Sequence, residues 1–235
     1  FSAGEKKRYS EIMGVKESSY DRVCQNIRDM VEIKKKNNLK VTIGMQMVLM
    51  PQDADQIIPL AKLGKELRPD YAIIKHCSDN EDGGLGVLYD EYEKLYPILK
   101  EAEGYSDDTY KCVIKWSKIK DKGNNKRSYQ RCYGAPFMLQ LSGSGLVAPC
   151  GGLFNEKYKK FHIGNICDTR FKDIWNSDRY WEVMNYLSSP KFNAQKMCAS
   201  LCLQHKVNES LDNFVKGKTE LKKPDTASPD HINFI

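Results

Sequence analysis

LKVTIGMQMVLM (39–50) and DYAIIKHC (70–77) are two nearly unbroken apolar runs rich in Val and Ile. Strands buried on both faces read this way. Between them, residues 54–67 carry Ile57, Ile58, Leu60, Ala61, Leu63 and Leu67 at helical spacing. Upstream, SSYDRVCQNIRDMVEIKKK (18–36) sets Tyr20, Val23, Ile27, Met30 and Val31 on one helical face. Ser18 with Asp21 resembles a capping box there, and lysines fill the last turn. Downstream, LYDEYEKLYPILKEAE (88–103) is a helix that Pro97 kinks or splits. Strand, helix, strand, helix at this spacing predicts a parallel sheet with right-handed crossovers. Ligands of such sheets bind at the carboxyl ends of the strands, which puts Ser2, residues 46–50 and residues 75–79 at that rim.

Past residue 105 the pattern changes. TYKCVIKWSKI (109–119) alternates as a strand does, and FMLQLSGSGLVAPC (137–150) reads as a hairpin turning at SGSG. FKDIW (171–175) and SDRYWEVMNYL (177–187) are short helices, the second capped by Ser177, and a last helix is expected over 199–216. The tail 217–235, with Pro224 and Pro229, reads as extended, and 78–87 as an acidic loop.

The composition narrows the class. The chain has 235 residues, 40% hydrophobic and 29% charged, which is globular. No run approaches the ~18 apolar residues of a membrane helix, so no membrane association is expected. The charge of +6 does not gather into a basic stripe with aromatics. The densest stretch, KIKDKGNNKR (118–127), reads as a solvated turn, so no nucleic-acid partner is expected.

The eight cysteines carry the chemistry: Cys24, Cys77, Cys112, Cys132, Cys150, Cys167, Cys198 and Cys202. Nothing at the start of the chain reads as a secretory signal, so metal binding is favoured over a disulfide framework. Cys132 and Cys150 bracket the hairpin as C-x12-G-x4-C, with Gly145 at the turn, and Cys198 and Cys202 form C-x3-C at the start of the last helix. A hairpin brings its ends together, and residues four apart on a helix share a face. Four thiolates converging this way suit an iron–sulfur cluster or a tetrahedral zinc, and unliganded core cysteines are the plain alternative. Cys24 and Cys112 read as packing residues, Cys77 as buried at a strand end, and Cys167 as a reserve ligand. His76 and His162 read as structural, and His205 as outer support for Cys202.

C-x12-G-x4-C, then IGNICDTRFKDIWNS (163–177), then CASLC (198–202), resembles the C-terminal extension of radical S-adenosylmethionine (SAM) enzymes called SPASM, or twitch in its one-cluster form. The full seven-cysteine pattern is not here, and four ligands suit one cluster. The first half resembles the later strands of the radical SAM partial barrel. FSAGEKKRYSEIMG (1–14) is similar to the family's S-x-D-G stretch, with Ala3 where aspartate is common.

The resemblance implies an α/β fragment of a partial (β/α) barrel followed by a small α+β twitch domain with a hairpin and short helices. Its boundaries are 1–104 for the barrel part, 105–131 for a connecting strand and linker, 132–216 for the cluster domain and 217–235 for the tail. It implies an auxiliary 4Fe–4S cluster on Cys132, Cys150, Cys198 and Cys202, with SAM contacts at Ser2, Gln46 and Lys75. The family's C-x3-C-x2-C loop, which holds the SAM-cleaving cluster, is expected upstream of Phe1, so the chain is expected to be inactive alone. The whole enzyme would be a cytoplasmic oxidoreductase that forms a 5′-deoxyadenosyl radical and abstracts hydrogen from a peptide or small-molecule substrate. A flavodoxin- or ferredoxin-like donor would supply its electrons. No catalytic side chain is named by the resemblance. The alternatives are a non-enzymatic zinc module and an accessory iron–sulfur electron carrier.

Overall fold

The computed structural model describes residues 1–79, 83–120, 127–198 and 202–221. Short strands and many helices form two compact units, Phe1–Ser78 with Gly86–Lys122, and Asp79–Leu85 with Gly123–Ile235. The parts of the 78–87 loop, the 118–127 turn, the last helix and the tail that fall at 80–82, 121–126, 199–201 and 222–235 lie outside the described residues. Among the described residues, no helix is long and apolar enough to cross a membrane.

In the first unit, α1 (Lys6–Met13) and α2 (Glu17–Lys36) precede β1 (Gly44–Leu49). The buried stripe of α2 is Cys24, Ile27 and Val31, with Tyr20 and Val23 at its edge, whereas Met30 faces solvent. No capping box forms: Lys16 is the N-cap, so Ser18 and Asp21 both lie inside the helix. Lysines 34, 35 and 36 fill the last turn, where positive charge complements the helix dipole.

A short 3-10 turn (Pro51–Gln56) leads into α3 (Ile57–Leu67), which buries Ile57, Leu60, Ala61, Leu63 and Leu67. β2 (Tyr71–His76) follows, then a second 3-10 stretch (Tyr89–Leu95) and α4 (Tyr96–Glu103). Pro97 splits the expected 88–103 helix, because its ring suits a first turn and no later position. β3 (Lys111–Ile114) completes a parallel sheet of order β1-β2-β3. The register runs Gln46↔Ile73 and Val48↔Lys75 in one pair, and Ala72↔Cys112 in the other.

Only the central strand is buried on both faces. β1 alternates instead, with Met45, Met47 and Leu49 inside and Val48 42% exposed. A sheet's outer strand meets the core with one face, whatever its hydrophobicity. The strand expected over 109–119 is shorter than predicted. After Ile114 the chain makes a helical turn, α5 (Trp116–Ile119), where the Trp116 indole N–H donates to Glu103 at 2.7 Å and Ile119 is buried. Met47, Leu49, Leu60 and Ile74 are wholly buried, each contributing ~1.5–3 kcal/mol of burial.

In the second unit, β4 (Gln140–Leu141) and β5 (Leu146–Ala148) pair as the expected hairpin, and β6 (Gly164–Asn165) pairs with β5. Gly145 turns the hairpin at φ +82°, a conformation that an L side chain rarely adopts. α6 (Phe171–Trp175) and α7 (Asp178–Leu187) follow, with Ser177 Oγ accepting the Tyr180 amide as N-cap. Val147, Phe161, Ile174, Tyr180, Val183 and Leu187 share one core. α8 (Ala194–Met197) and α9 (His205–Val215) close the described part.

Candidate metal centre

Cys132 and Cys150 sit in the same local device. Each is followed by a tight turn, Ala135–Phe137 starting three residues after Cys132 and Gly151–Leu153 directly after Cys150. The Gly134 and Ala135 amides bias the Cys132 thiol toward its charged form, and the Gly152 and Leu153 amides do the same for Cys150. Two N–H dipoles, two and three residues on, thus favour each thiolate. The Cys132 amide donates to Leu187 O at 2.9 Å, which ties this turn to the end of α7.

Asn208, from the second turn of α9 and 1% exposed, completes the first device. Its Oδ1 accepts the Tyr133 and Gly134 amides at 2.6 and 2.8 Å, and its Nδ2 donates to Cys132 Sγ at 3.6 Å. Gly134 is required here: a Cβ would lie 2.9 Å from Gln204 Cβ and 3.2 Å from Asn208 Nδ2. His162, expected as a structural residue, braces the second turn through a 3.0 Å contact between Nε2 and Leu153 O.

The expected reason for Cys198 and Cys202 to converge does not hold. Cys198 is extended (φ −102°, ψ 148°) at the end of α8, and Cys202 precedes α9, so the two do not share a helical face. Tertiary contacts position them instead. Arg127 lies near Cys198, and Tyr129 lies near Cys202, its hydroxyl sharing a 3.2 Å bond with His205 Nδ1. Arg127, at the end of the 118–127 stretch, is 7% exposed and donates to Ala194 O at 2.8 Å, whereas the Gly-Asn-Asn centre expected as a solvated turn lies outside the described residues.

The four thiols lie within reach of one another's charge. Burial pushes Cys150 up to about 12, opposed by the Gly152 and Leu153 amides and reinforced by Cys132 and Cys202. Burial pushes Cys198 up to about 12 as well, opposed by Arg127 and reinforced by Cys132, Cys150 and Cys202. Burial also raises Cys132, against the Asn208 N–H, with Cys202 adding to the rise. Such thiols keep their protons unless a cation replaces them. Among the described residues, no three His, Cys, Asp or Glu side chains form a group spaced for a metal ion. A single zinc draws its sulfurs to ~2.3 Å of one point. A four-iron cluster is a larger body that takes one thiolate per corner.

The donor set fits a cluster. Thiolates and sulfides accept N–H hydrogen bonds, and this site brings the Asn208 amide to the Cys132 sulfur at 3.6 Å, with four backbone amides favouring the thiolates and Arg127 as a buried positive charge. Arg127, Tyr129, Gln204 and Asn208 escaped the reading of the sequence. The only signal was polar residues close to C-x3-C, a pattern that solvated helix starts share.

The other cysteines lie elsewhere. Cys24 and Cys112 belong to the core of the first unit, where burial raises both thiols, Cys112 to about 11. Cys77 is half-buried, and its amide donates to the Tyr92 hydroxyl at 3.1 Å. Cys167 is exposed beside the hairpin turn, 3.8 Å from Ser144 O, whereas Cys150 stands at the hairpin base. His76 is buried against the Tyr89 and Tyr92 rings, at 5.7 Å from each centroid.

Of the expected SAM-contacting residues, Gln46 lies mid-strand in β1 and Lys75 near the end of β2, on the same face by register. Ser2 Oγ meets Met13 Sδ at 3.1 Å, and the neighbouring Phe1 amino group donates to Gln46 O at 2.7 Å.

Residues 132–203 match the family model of SPASM, an iron–sulfur cluster-binding domain, so the chain carries a SPASM-type domain. No curated protein and no solved structure matches the chain.

Proposed function

We propose that Cys132, Cys150, Cys198 and Cys202 hold one auxiliary 4Fe–4S cluster, and that this chain is part of a radical SAM enzyme. The observation that carries the reading is a set of four thiols close enough to feel one another's charge, one of them accepting the Asn208 amide at 3.6 Å, inside the segment that matches SPASM. When bound, such a cluster supplies one-electron transfer. The protein's part is to shield it and offset its charge. Cys132, Cys150 and Cys198 pack against the hydrophobic core, and Arg127 lies near Cys198 to balance negative charge. Four thiolates leave no corner open for substrate, which favours electron relay or bracing of the fold.

The parallel order of the first unit, and the shared face of Gln46 and Lys75, support reading it as later strands of a partial barrel. SAM would then meet that face near Ser2. A peptide or small-molecule substrate and a flavodoxin- or ferredoxin-like donor are the partners this reading brings.

The test is anaerobic purification and reconstitution of the full chain, followed by iron, sulfide and zinc counts. About four irons and four sulfides per chain are expected. One zinc with no sulfide would overturn the cluster and leave a structural zinc module.

A further inference from the structure

We infer that Gln204 donates its side-chain amide to a sulfur of the cluster and sets its reduction potential. The inference rests on the cluster reading above. Gln204 is 6% exposed, and its Nε2 has no hydrogen-bond partner among the described residues. A buried amide donor left without an acceptor costs free energy, so native proteins seldom keep one without a use for it.

Two observations say where that use lies. Gln204 is the N-cap residue of α9, yet its side chain makes no capping bond. Ser, Thr, Asp and Asn cap helices well; a longer amide in this position is directed elsewhere. The side chain packs over Gly134, with Cβ 2.9 Å and Oε1 3.3 Å from the position a Gly134 Cβ would take. Asn208 Nδ2, which donates to the Cys132 sulfur at 3.6 Å, lies 3.2 Å from that same position, and Cys202 lies two positions before Gln204. The residue that carries the unpartnered donor therefore packs against the turn that follows Cys132 and stands two positions after Cys202. An acceptor that only the loaded site contains, a thiolate or a bridging sulfide, satisfies it.

Hydrogen bonds to cluster sulfur stabilise the reduced, more negative state and raise the potential. Gln204 acts through the sulfur and is a positioning residue, distinct from the ligands.

The experiment compares the reconstituted full chain with Gln204→Met, which keeps length and removes the donor. Iron and sulfide counts are taken first, then the midpoint potential by anaerobic titration followed by electron paramagnetic resonance. The expected result is unchanged iron with a more negative potential. The shift should be on the order of tenfold in the ratio of reduced to oxidised cluster, ~59 mV for one electron. Full iron with an unchanged potential overturns the role of Gln204 and leaves the cluster reading intact. A wild-type chain without iron and sulfide overturns the cluster reading itself. Should Gln204→Met lose iron, wild-type protein carrying ¹⁵N in its glutamine side chains decides. A ¹⁵N hyperfine coupling to the reduced cluster supports the hydrogen bond, and its absence overturns it.

Discussion

Asn208 clamps the turn after Cys132 from both ends of one amide: Oδ1 accepts two backbone N–H groups, and Nδ2 donates to the Cys132 sulfur at 3.6 Å. The two roles separate by substitution. Asn208→Leu leaves the Tyr133 and Gly134 amides buried and unpaired, which should cost ~2–4 kcal/mol. Asn208→Asp keeps the acceptor, loses the donor and sets a carboxylate beside a thiolate. It should fold better than the Leu variant and hold iron less tightly. Anaerobic denaturant unfolding and iron retention under a chelator measure the two effects. A Leu variant within ~0.5 kcal/mol of wild type would show that the clamp does not bear on stability.

The hairpin makes a sharper test of local geometry. At φ +82°, Gly145 would place a Cβ 2.6 Å from Asn165 Oδ1 and 2.8 Å from Cys167 Sγ. Gly145→Val should therefore cost at least ~1–3 kcal/mol from backbone strain alone, with the clashes adding to it. Gly143 in the same turn has open space around it, and Gly143→Ala should stay within ~0.5 kcal/mol of wild type. Equal effects at the two positions, read from thermal melts, would mean that the turn is placed wrongly.

Much of this architecture was legible because it rests on local pattern. The apolar runs at 39–50 and 70–77 became β1 and β2, the SGSG turn fell at Gly145, and Ser177 capped its helix. The failures share a cause. Burial of β1 on one face depends on its place in the sheet, which the composition of a strand does not encode. The approach of Cys198 to Cys202 was credited to helical spacing, and tertiary contacts supply it instead. Gln204 and Asn208 meet the turn after Cys132, and Arg127 lies near Cys198, each far from that partner in sequence, so no spacing rule singles them out. The amides two and three residues after Cys132 and Cys150 are placed by tight turns that the spacing of the cysteines does not encode.

Asp70 gives a prediction in pH. Burial alone pushes its pKa up, but the Ile43 amide at 2.6 Å and the Lys34 ammonium at 2.7 Å outweigh that, so it falls below the usual 3.8. A depressed carboxylate stabilises the fold above its unfolded pKa, and the contribution fades as pH falls through the lower, folded value. The pair is partly exposed, so screening limits it to ~0.5–1 kcal/mol. The stability difference between wild type and Asp70→Asn should be flat above pH ~4 and shrink below it. A difference that instead grows as pH falls would contradict the sign.

The ligand set is decided by comparing cysteines that differ in placement. Cys132, Cys150, Cys198 and Cys202 feel one another's charge, whereas Cys167 is exposed beside Gly145 and Cys24 lies in the core of the first unit. Metal binding is coupled to folding, so Ala at any of the four should lose iron and lower the melting temperature together. Cys24→Ala should keep full iron and cost only ~1 kcal/mol of packing. Cys198 is the informative member. It lies at an extended helix end, four positions from Cys202, where a cysteine can be adjacent without binding. Cys167→Ala should keep its cluster and Cys198→Ala should lose it, with iron and sulfide counted side by side. The reverse result would move the fourth ligand to the hairpin turn. Iron retained in both, and in Cys132→Ala as well, would end the assignment of these thiols to a cluster.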